Sequence, residues 1–316
     1  MLVPCSSILG PRASLLGSLV LERQYTLQDF SNKVAVITGA ASGIGRAIAN
    51  RFARDCMGLV LADIEDEPLA IAAEELKAAG ADVLAVPTDV SNALSVQALS
   101  DAAFERFGAV HLLFNNAGVG VAGAVWENSI ADWQWVFGVN LWGVIHGIKS
   151  FVPRMMEQNT ECWIVNTASV AGLITGPGMG VYNVTKHGVV ALSETLHYDL
   201  EEAGSLVKVS VLCPAWVKTR IMDSSRNRSG YVPDPNRTLP PWVEARRQAI
   251  EGGLSADYVA ECVIDAIRED RFYIFTHPEA MPLVQARMNG ILTGQNPVNP
   301  AIAALKLSQN TGAKLS

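Results

Sequence analysis

Charge is scarce in this 316-residue chain, and what there is is never concentrated. Asp, Glu, Lys and Arg make up 17% of residues, the net charge is −7, and no Lys/Arg-rich block occurs. A long nucleic-acid footprint or an anionic-membrane surface is thereby excluded. Cysteine is equally sparse. Cys5, Cys56, Cys162, Cys213 and Cys262 form no C-x-x-C pair, and an odd number cannot close a complete disulfide framework. Unpaired buried thiols suit a reducing compartment, so a cytoplasmic protein is expected. The histidines at 111, 146, 187, 197 and 277 have no ligand spacing, so no metal is expected. Long apolar runs are missing too: Ser14 to Leu21 is far too short to span a bilayer, and no membrane partner is expected.

Residues 1–30 form an N-terminal extension with no assigned role. No acid precedes Glu22, while serines and Arg12 and Arg23 are present, which keeps organelle targeting open beside a mobile arm.

From Lys33 onward there is abundant material for a core, with 49% hydrophobic residues in short runs separated by longer helical stretches. Strands are expected at 34–38, 59–62, 83–86, 111–114, 162–167, 207–212 and 272–275. Helices are expected at 45–54, 68–79, 93–107, from Tyr182 to about Glu202, and at 281–291. Nearly continuous apolar strands alternating with helices predict a parallel sheet covered on both faces. No repeat or linker divides the core, so residues 31–278 read as one catalytic domain and 279–316 as a C-terminal extension. Residues 220–255 break the rhythm with four prolines after Met222 and irregular composition. A long irregular segment at the carboxyl edge of an open α/β sheet predicts a substrate loop.

Thr38 to Gly45 reads TGAASGIG between the first strand and the first helix. Glycines allow backbone to approach a pyrophosphate, and the helix N-terminus offers N–H groups to the anion. The spacing G-x-x-x-G-x-G departs from the usual dinucleotide fingerprint G-x-G-x-x-G and reads as a variant of it. Asp63, just past the second strand, can accept bonds from ribose hydroxyls and would repel a 2′-phosphate, which favours NAD over NADP. Arg46 keeps NADP as the minority alternative.

Tyr182 and Lys186 are four apart on one helix, hence on one face. An ammonium there lowers the phenol pKa from about 10 toward neutrality, as general acid–base work requires. Such a pair is common by chance and gains weight from its company. Ser169 ends the fifth strand thirteen residues before Tyr182, Asn115-Asn116-Ala117-Gly118 ends the fourth, and Asn140 lies in a helix-like stretch.

Together these residues resemble the short-chain dehydrogenase/reductase family, in its single-domain branch. The motifs run from Lys33 to Arg220, with weaker similarity to about Pro278. The resemblance implies a Rossmann-like, doubly wound, seven-stranded parallel α/β sheet. It implies a catalytic set of Asn140, Ser169, Tyr182 and Lys186: Tyr182 as acid/base, Lys186 on the nicotinamide ribose, Ser169 on the substrate oxygen, and Asn140 on a relay water. Cofactor contacts are implied for Gly39, Ser42, Gly43, Ile44 and Gly45, for Asp63, Asp89 and Val90, for Asn116, Ala117 and Gly118, and for Tyr182, Lys186, Pro214, Val217 and Thr219. The family's usual P-G is Pro214-Ala215 here, which leaves backbone freedom at that turn in question.

Val121, Leu173, Met179 and Trp216 are the expected substrate residues, and they suggest a hydrophobic, cyclic or aromatic secondary alcohol or its ketone. Trp126, Trp133, Trp135 and Trp142 read as packing residues. Val189, Leu192, Leu196 and Leu200 form an apolar stripe on the Tyr182 helix, and the resemblance implies that this helix pairs with a second subunit, so a homodimer or homotetramer is expected. Two competitors stand: an NADPH-preferring ketone reductase, and a cofactor-binding protein without catalysis. An epimerase or dehydratase of nucleotide sugars is disfavoured, because its larger C-terminal substrate domain is missing.

Overall fold

The computed structural model describes residues 27–230 and 241–304. Most of the N-terminal extension, part of the expected substrate loop and the last twelve residues lie outside them.

Seven parallel strands form one sheet in the order β3-β2-β1-β4-β5-β6-β7. They are β1 (Val34–Thr38), β2 (Gly58–Asp63), β3 (Asp82–Pro87), β4 (Leu112–Asn115), β5 (Cys162–Thr167), β6 (Val207–Cys213) and β7 (Tyr273–Phe275). Every residue of β1, β4 and β5 is buried, as expected of central strands covered on both faces. The Rossmann-like class is therefore observed.

One face is covered by α1 (Gly43–Ala53), α2 (Asp66–Ala78) and α8 (Ala256–Arg268), whose Ile48, Phe52, Leu69, Leu76, Val263 and Ile267 join one core cluster. The other face carries α3 (Ala93–Phe107), α5 (Gly143–Glu157) and α6 (Gly180–Glu202), with Leu99, Phe151, Met155 and Leu196 in the second large cluster. The chain also forms α4 (Ile130–Phe137), α7 (Pro241–Glu251) and α9 (Met281–Leu292). α4 begins in a capping box, Ser129 with Asp132. Gly138–Trp142 then joins α4 to α5 as a π-helical turn, a local widening that aims Asn140 inward.

Two expectations change. The packed chain starts before residue 31: Leu27 and Phe30 are buried on the α1 face, and the Phe30 ring meets Phe52 edge-on at 5.2 Å. The expected seam on α6 is also internal, because Val189, Leu196 and Leu200 are buried against the chain's own sheet. Val184, Ala191, Thr195 and Tyr198 make the exposed face instead.

Candidate active site

Between β1 and β4 the strand order reverses, and the loops at the carboxyl ends part there. That is where open α/β sheets bind ligands. A cleft of about 920 Å³ opens at this point, lined from Gly39 and Asp63 at one end to Met179, Trp216 and Arg246 at the other.

The glycine turn is built by close approach. Gly39 has φ +67°, and a Cβ there would meet the Ala117 Cα at 2.9 Å. A Cβ on Gly45 would lie 2.3 Å from the Gly39 carbonyl oxygen and 2.7 Å from Asn116 Nδ2. Neither position accepts a side chain. Ser42 is the N-cap of α1, yet its side chain makes no capping bond, and no acid occupies the first turn. The leading N–H groups of α1 therefore stay available to an anion at the cleft wall. Gly39, Ser42, Gly43 and Ile44 line the cleft, while Gly45 lies behind it as the crossing point.

Asp63 ends β2 and lines the cleft. Its Oδ2 accepts the Ala41 N–H at 2.9 Å and its Oδ1 the Glu65 N–H at 3.1 Å, so the carboxylate also braces the glycine turn. Burial pushes its pKa up, against the pull of those N–H donors. Arg46, the candidate for a 2′-phosphate, is committed elsewhere: Nη2 meets Glu75 at 2.7 Å and Nε bonds Asn50 at 2.8 Å. Asp89 caps its own turn through Ser91, and Val90 lies beside it on the cleft wall.

Thr38 ties the two halves of the cleft together. Its hydroxyl donates to the Phe114 carbonyl and accepts N–H bonds from Asn116 at 2.9 Å and Ala117 at 3.1 Å. Asn116 Nδ2 donates back to the Thr38 carbonyl at 3.0 Å, and its Oδ1 accepts from Thr167. Asn116, Ala117 and Gly118 thus line the cleft on a floor anchored to β1 and β5.

Tyr182 and Lys186 come from the first turns of α6 and both line the cleft. Lys186 is buried, with Nζ donating to the Thr167 carbonyl at 2.7 Å and standing 5.6 Å from the centre of the Tyr182 ring. Burial lowers the Lys186 pKa to about 8. The Tyr182 phenol is pushed up to about 12 by burial, with a hydrogen bond to Ser169 pulling the other way. This reverses the expected drop toward neutrality: desolvation outweighs an ammonium that is bonded to a carbonyl instead of the phenol. Ser169 is buried at the end of β5, its Oγ donating to the Pro214 carbonyl at 3.1 Å and accepting the Ala171 N–H at 3.1 Å.

Asn140 is fully buried and does not line the cleft. Its Oδ1 accepts the Val119 N–H at 2.8 Å, and its Nδ2 donates to the Val119 carbonyl at 2.9 Å and to Thr185 Oγ1 at 3.2 Å. A Cβ on Gly118 would stand 3.6 Å from Asn140 Oδ1 and 3.7 Å from Lys186 Nζ. Asn140 thus fixes the strip of backbone beside Lys186.

After β6, Pro214, Val217 and Thr219 line the cleft, as do Val121, Met179 and Trp216. Leu173 does not: it packs onto the cluster of Val189 and Val190, because the 3₁₀ turn Val170–Gly172 directs the chain back onto α6. Trp135 packs against the cluster of Val119, Val136 and Val181, as expected, and also lines the cleft, whereas Trp126, at 86% exposure, packs into no core.

Several partners have no short-range signature. A 3₁₀ segment, Ile221–Asn227, closes over the cleft as a lid. Ser224 Oγ bonds both the N–H and the carbonyl of Gly120, Arg226 pairs with Glu65, and Arg228 pairs with Asp132. His277 is buried behind the Pro214–Trp216 turn, taking the Ala215 N–H on Nδ1 at 3.2 Å and reaching the Trp216 carbonyl from Nε2 at 3.0 Å. That pattern requires the Nε2–H tautomer.

Comparison with known proteins places these features in context. A family model described as short chain dehydrogenase matches residues 33–230. A crystal structure of a short chain dehydrogenase/reductase from Burkholderia phymatum in complex with NAD superposes with a TM-score of 0.82 at 51% identity, covering 86% of this chain and 98% of that one. The 1-deoxy-11-beta-hydroxypentalenate dehydrogenase of Streptomyces avermitilis is 38% identical over 81% of this chain and 89% of its own length. The CLA biosynthesis dehydrogenase/reductase of Lactiplantibacillus plantarum is 35% identical over 86% and 97%.

Proposed function

Because the chain belongs to the short chain dehydrogenase family, we propose that it is an NAD(H)-dependent oxidoreductase interconverting a hydrophobic secondary alcohol and its ketone. The observation that carries the reading is that Tyr182 and Lys186 line one end of a cleft whose other end is the glycine turn, with Ser169 buried outside the lining and hydrogen-bonded to Tyr182.

When bound, NAD supplies the hydride acceptor or donor and, oxidised, a positive charge beside the phenol. The uncapped start of α1 and the glycine turn hold its pyrophosphate, and Asp63 accepts the adenosine ribose hydroxyls. Arg46 is engaged by Glu75 and Arg226 by Glu65, and the Asp63 carboxylate would repel a 2′-phosphate, which favours NAD over NADP. Lys186 holds the nicotinamide ribose from its seat on the Thr167 carbonyl.

Ser169 and Tyr182 hold the substrate oxygen between two hydroxyls. A phenol kept protonated by burial donates its proton to a ketone oxygen in the reductive direction. In the oxidative direction the phenolate of Tyr182 would take the alcohol proton, favoured by the Lys186 ammonium and by the charge that oxidised NAD would supply. Val121, Met179, Trp135 and Trp216 supply apolar walls that exclude water from that exchange. We further read the exposed face of α6, with Val184 and Tyr198, as the contact of a homodimer or homotetramer.

The test is Tyr182→Phe, assayed by absorbance at 340 nm on cyclic and aromatic secondary alcohols with NAD and NADP in parallel. Turnover falls by about two to four orders of magnitude while folding and NAD binding persist. Activity retained by the variant would overturn the acid/base role.

A further inference from the structure

The cleft is lined by charge of both signs, with Asp63, Glu65, Asp89 and Asp223 as its acids. Lys186, Arg220, Arg226, Arg246 and Arg247 all line it. Lys186 belongs to the catalytic set, Arg226 is held by Glu65, and Arg247 by Asp223 at 3.1 Å. Arg220 is exposed and lies close enough to Glu65 to help hold that carboxyl below its usual range.

Arg246 is the exception. It sits on α7, half-buried, among cleft-lining Met179, Trp216, Val243 and Ile250. Nη2 donates to the Pro177 carbonyl at 2.8 Å, and the guanidinium carbon stands 4.5 Å over the Trp242 ring. No carboxylate pairs with it among the described residues. Burial lowers its pKa with no counter-charge to offset the loss of water. A half-buried guanidinium with five donors and one carbonyl acceptor is incompletely satisfied. Its anchor, Pro177, lies on the loop that leads directly into Tyr182.

We infer that Arg246 is a specificity-determining residue that binds a carboxylate on the substrate, so that the enzyme acts on amphipathic hydroxy or keto acids with an apolar body. The inference rests on the dehydrogenase reading above and narrows its substrate class. A single planar fork suits a carboxylate bidentately, and Arg247 on the same helix is already paired with Asp223. The apolar walls take the carbon skeleton while Arg246 fixes the end that does not react, an arrangement that orients the carbinol carbon toward Tyr182.

The experiment compares secondary-alcohol acids with their own methyl esters. A ladder of (ω−1)-hydroxy fatty acids and 4-hydroxycyclohexanecarboxylate serves as probes, each with NAD on wild type, Arg246→Gln and Arg246→Lys. For the best-fitting acid, kcat/KM exceeds that of its ester by about tenfold or more in wild type. The ratio collapses toward one in Arg246→Gln, largely through KM, and is partly kept in Arg246→Lys, while the ester's own kcat/KM stays within about twofold. A purely structural Arg246 would lower acid and ester alike. Esters turned over as well as acids by wild type overturn the inference and leave the dehydrogenase reading intact. If neither turns over, binding of the same pairs is read from tryptophan fluorescence in the presence of NADH. Tighter binding of acids, lost in Arg246→Gln, then upholds the anionic site while the dehydrogenase reading fails, and equal binding or none overturns the site.

Discussion

Arg226 grips Glu65 with two edges of its guanidinium, Nε to Oε1 at 2.9 Å and Nη2 to Oε2 at 2.7 Å. One residue belongs to the lid after β6 and the other follows the acid that ends β2, so the pair crosses over the cleft. Arg226 also donates to the Arg220 and Asp223 carbonyls, which stiffens the lid itself. Both side chains are less than a quarter exposed, so solvent weakens the pair only in part, and about 1 kcal/mol is a fair estimate. Arg226→Ala should therefore speed NADH release roughly fivefold in stopped-flow fluorescence, with little change in Tm. An unchanged release rate would show that the lid opens without breaking this pair.

Asp63 has two jobs, bracing Ala41 and, as proposed, receiving the ribose. Asp63→Ser keeps a hydroxyl acceptor and removes the charge that repels a phosphate. NAD affinity should fall by about tenfold and the NAD/NADP affinity ratio should narrow further, as measured by fluorescence titration. A ratio that does not move would assign Asp63 to the turn alone.

The buried pair on α6 imposes a stability profile in alkali. Lys186, lowered from an ordinary 10.5 to about 8, binds its proton less well folded than unfolded. The unfolded chain therefore holds the extra proton between these values, and stability rises as pH climbs from about 8 toward 10. Tyr182, raised from 10 to about 12, works the other way: its contribution is complete below pH 10 and is lost as pH rises toward 12. Buried Cys213, raised from 9 to about 12, loses its own contribution from pH 9 upward, so thermal melts should show the rise between pH 8 and 9 in wild type and its absence in Lys186→Met. Parallel curves for the two proteins would contradict the burial of that ammonium.

His277 holds the turn after β6 from behind, and only when neutral can Nδ1 accept the Ala215 N–H. His277→Leu strands that half-buried N–H, while the Trp216 carbonyl keeps the Leu254 N–H at 3.0 Å, at a cost of about 1 kcal/mol. Calorimetry should record a Tm several degrees lower. Cofactor affinity should weaken as well, since Pro214 and Val217 lose their backing. A variant matching wild type in both would mean the turn supports itself.

What the sequence made legible was local. Each strand shows as an apolar run, TGAASGIG shows as a turn by its composition, and Tyr182 and Lys186 share a face by spacing alone. What stayed hidden depends on which distant groups meet. Glu65 and Arg226 are 161 positions apart, and His277 lies 62 beyond the Ala215 it holds. The upward shift of Tyr182 could not be read from a nearby lysine, because enclosure by several elements decides it. Leu173 was misplaced for a related reason: a tight turn reverses a side chain that composition alone points toward the cleft. On α6 an apolar stripe marks burial equally well against one's own sheet or against a second subunit, and periodicity does not separate them.

The Thr38 hydroxyl accepts N–H bonds from residues 78 and 79 positions further on, across the seam where strand order reverses. Neither half of the chain owns the cleft. A nascent chain that has assembled only its first three strands presents a bare glycine turn with no floor beneath it, and the later strands alone present a floor with no turn. Occupancy of the cleft is therefore a census of the whole sheet. A ligand held there resists any excursion that parts β1 from β4, so protection from proteolysis should reach segments that never touch it.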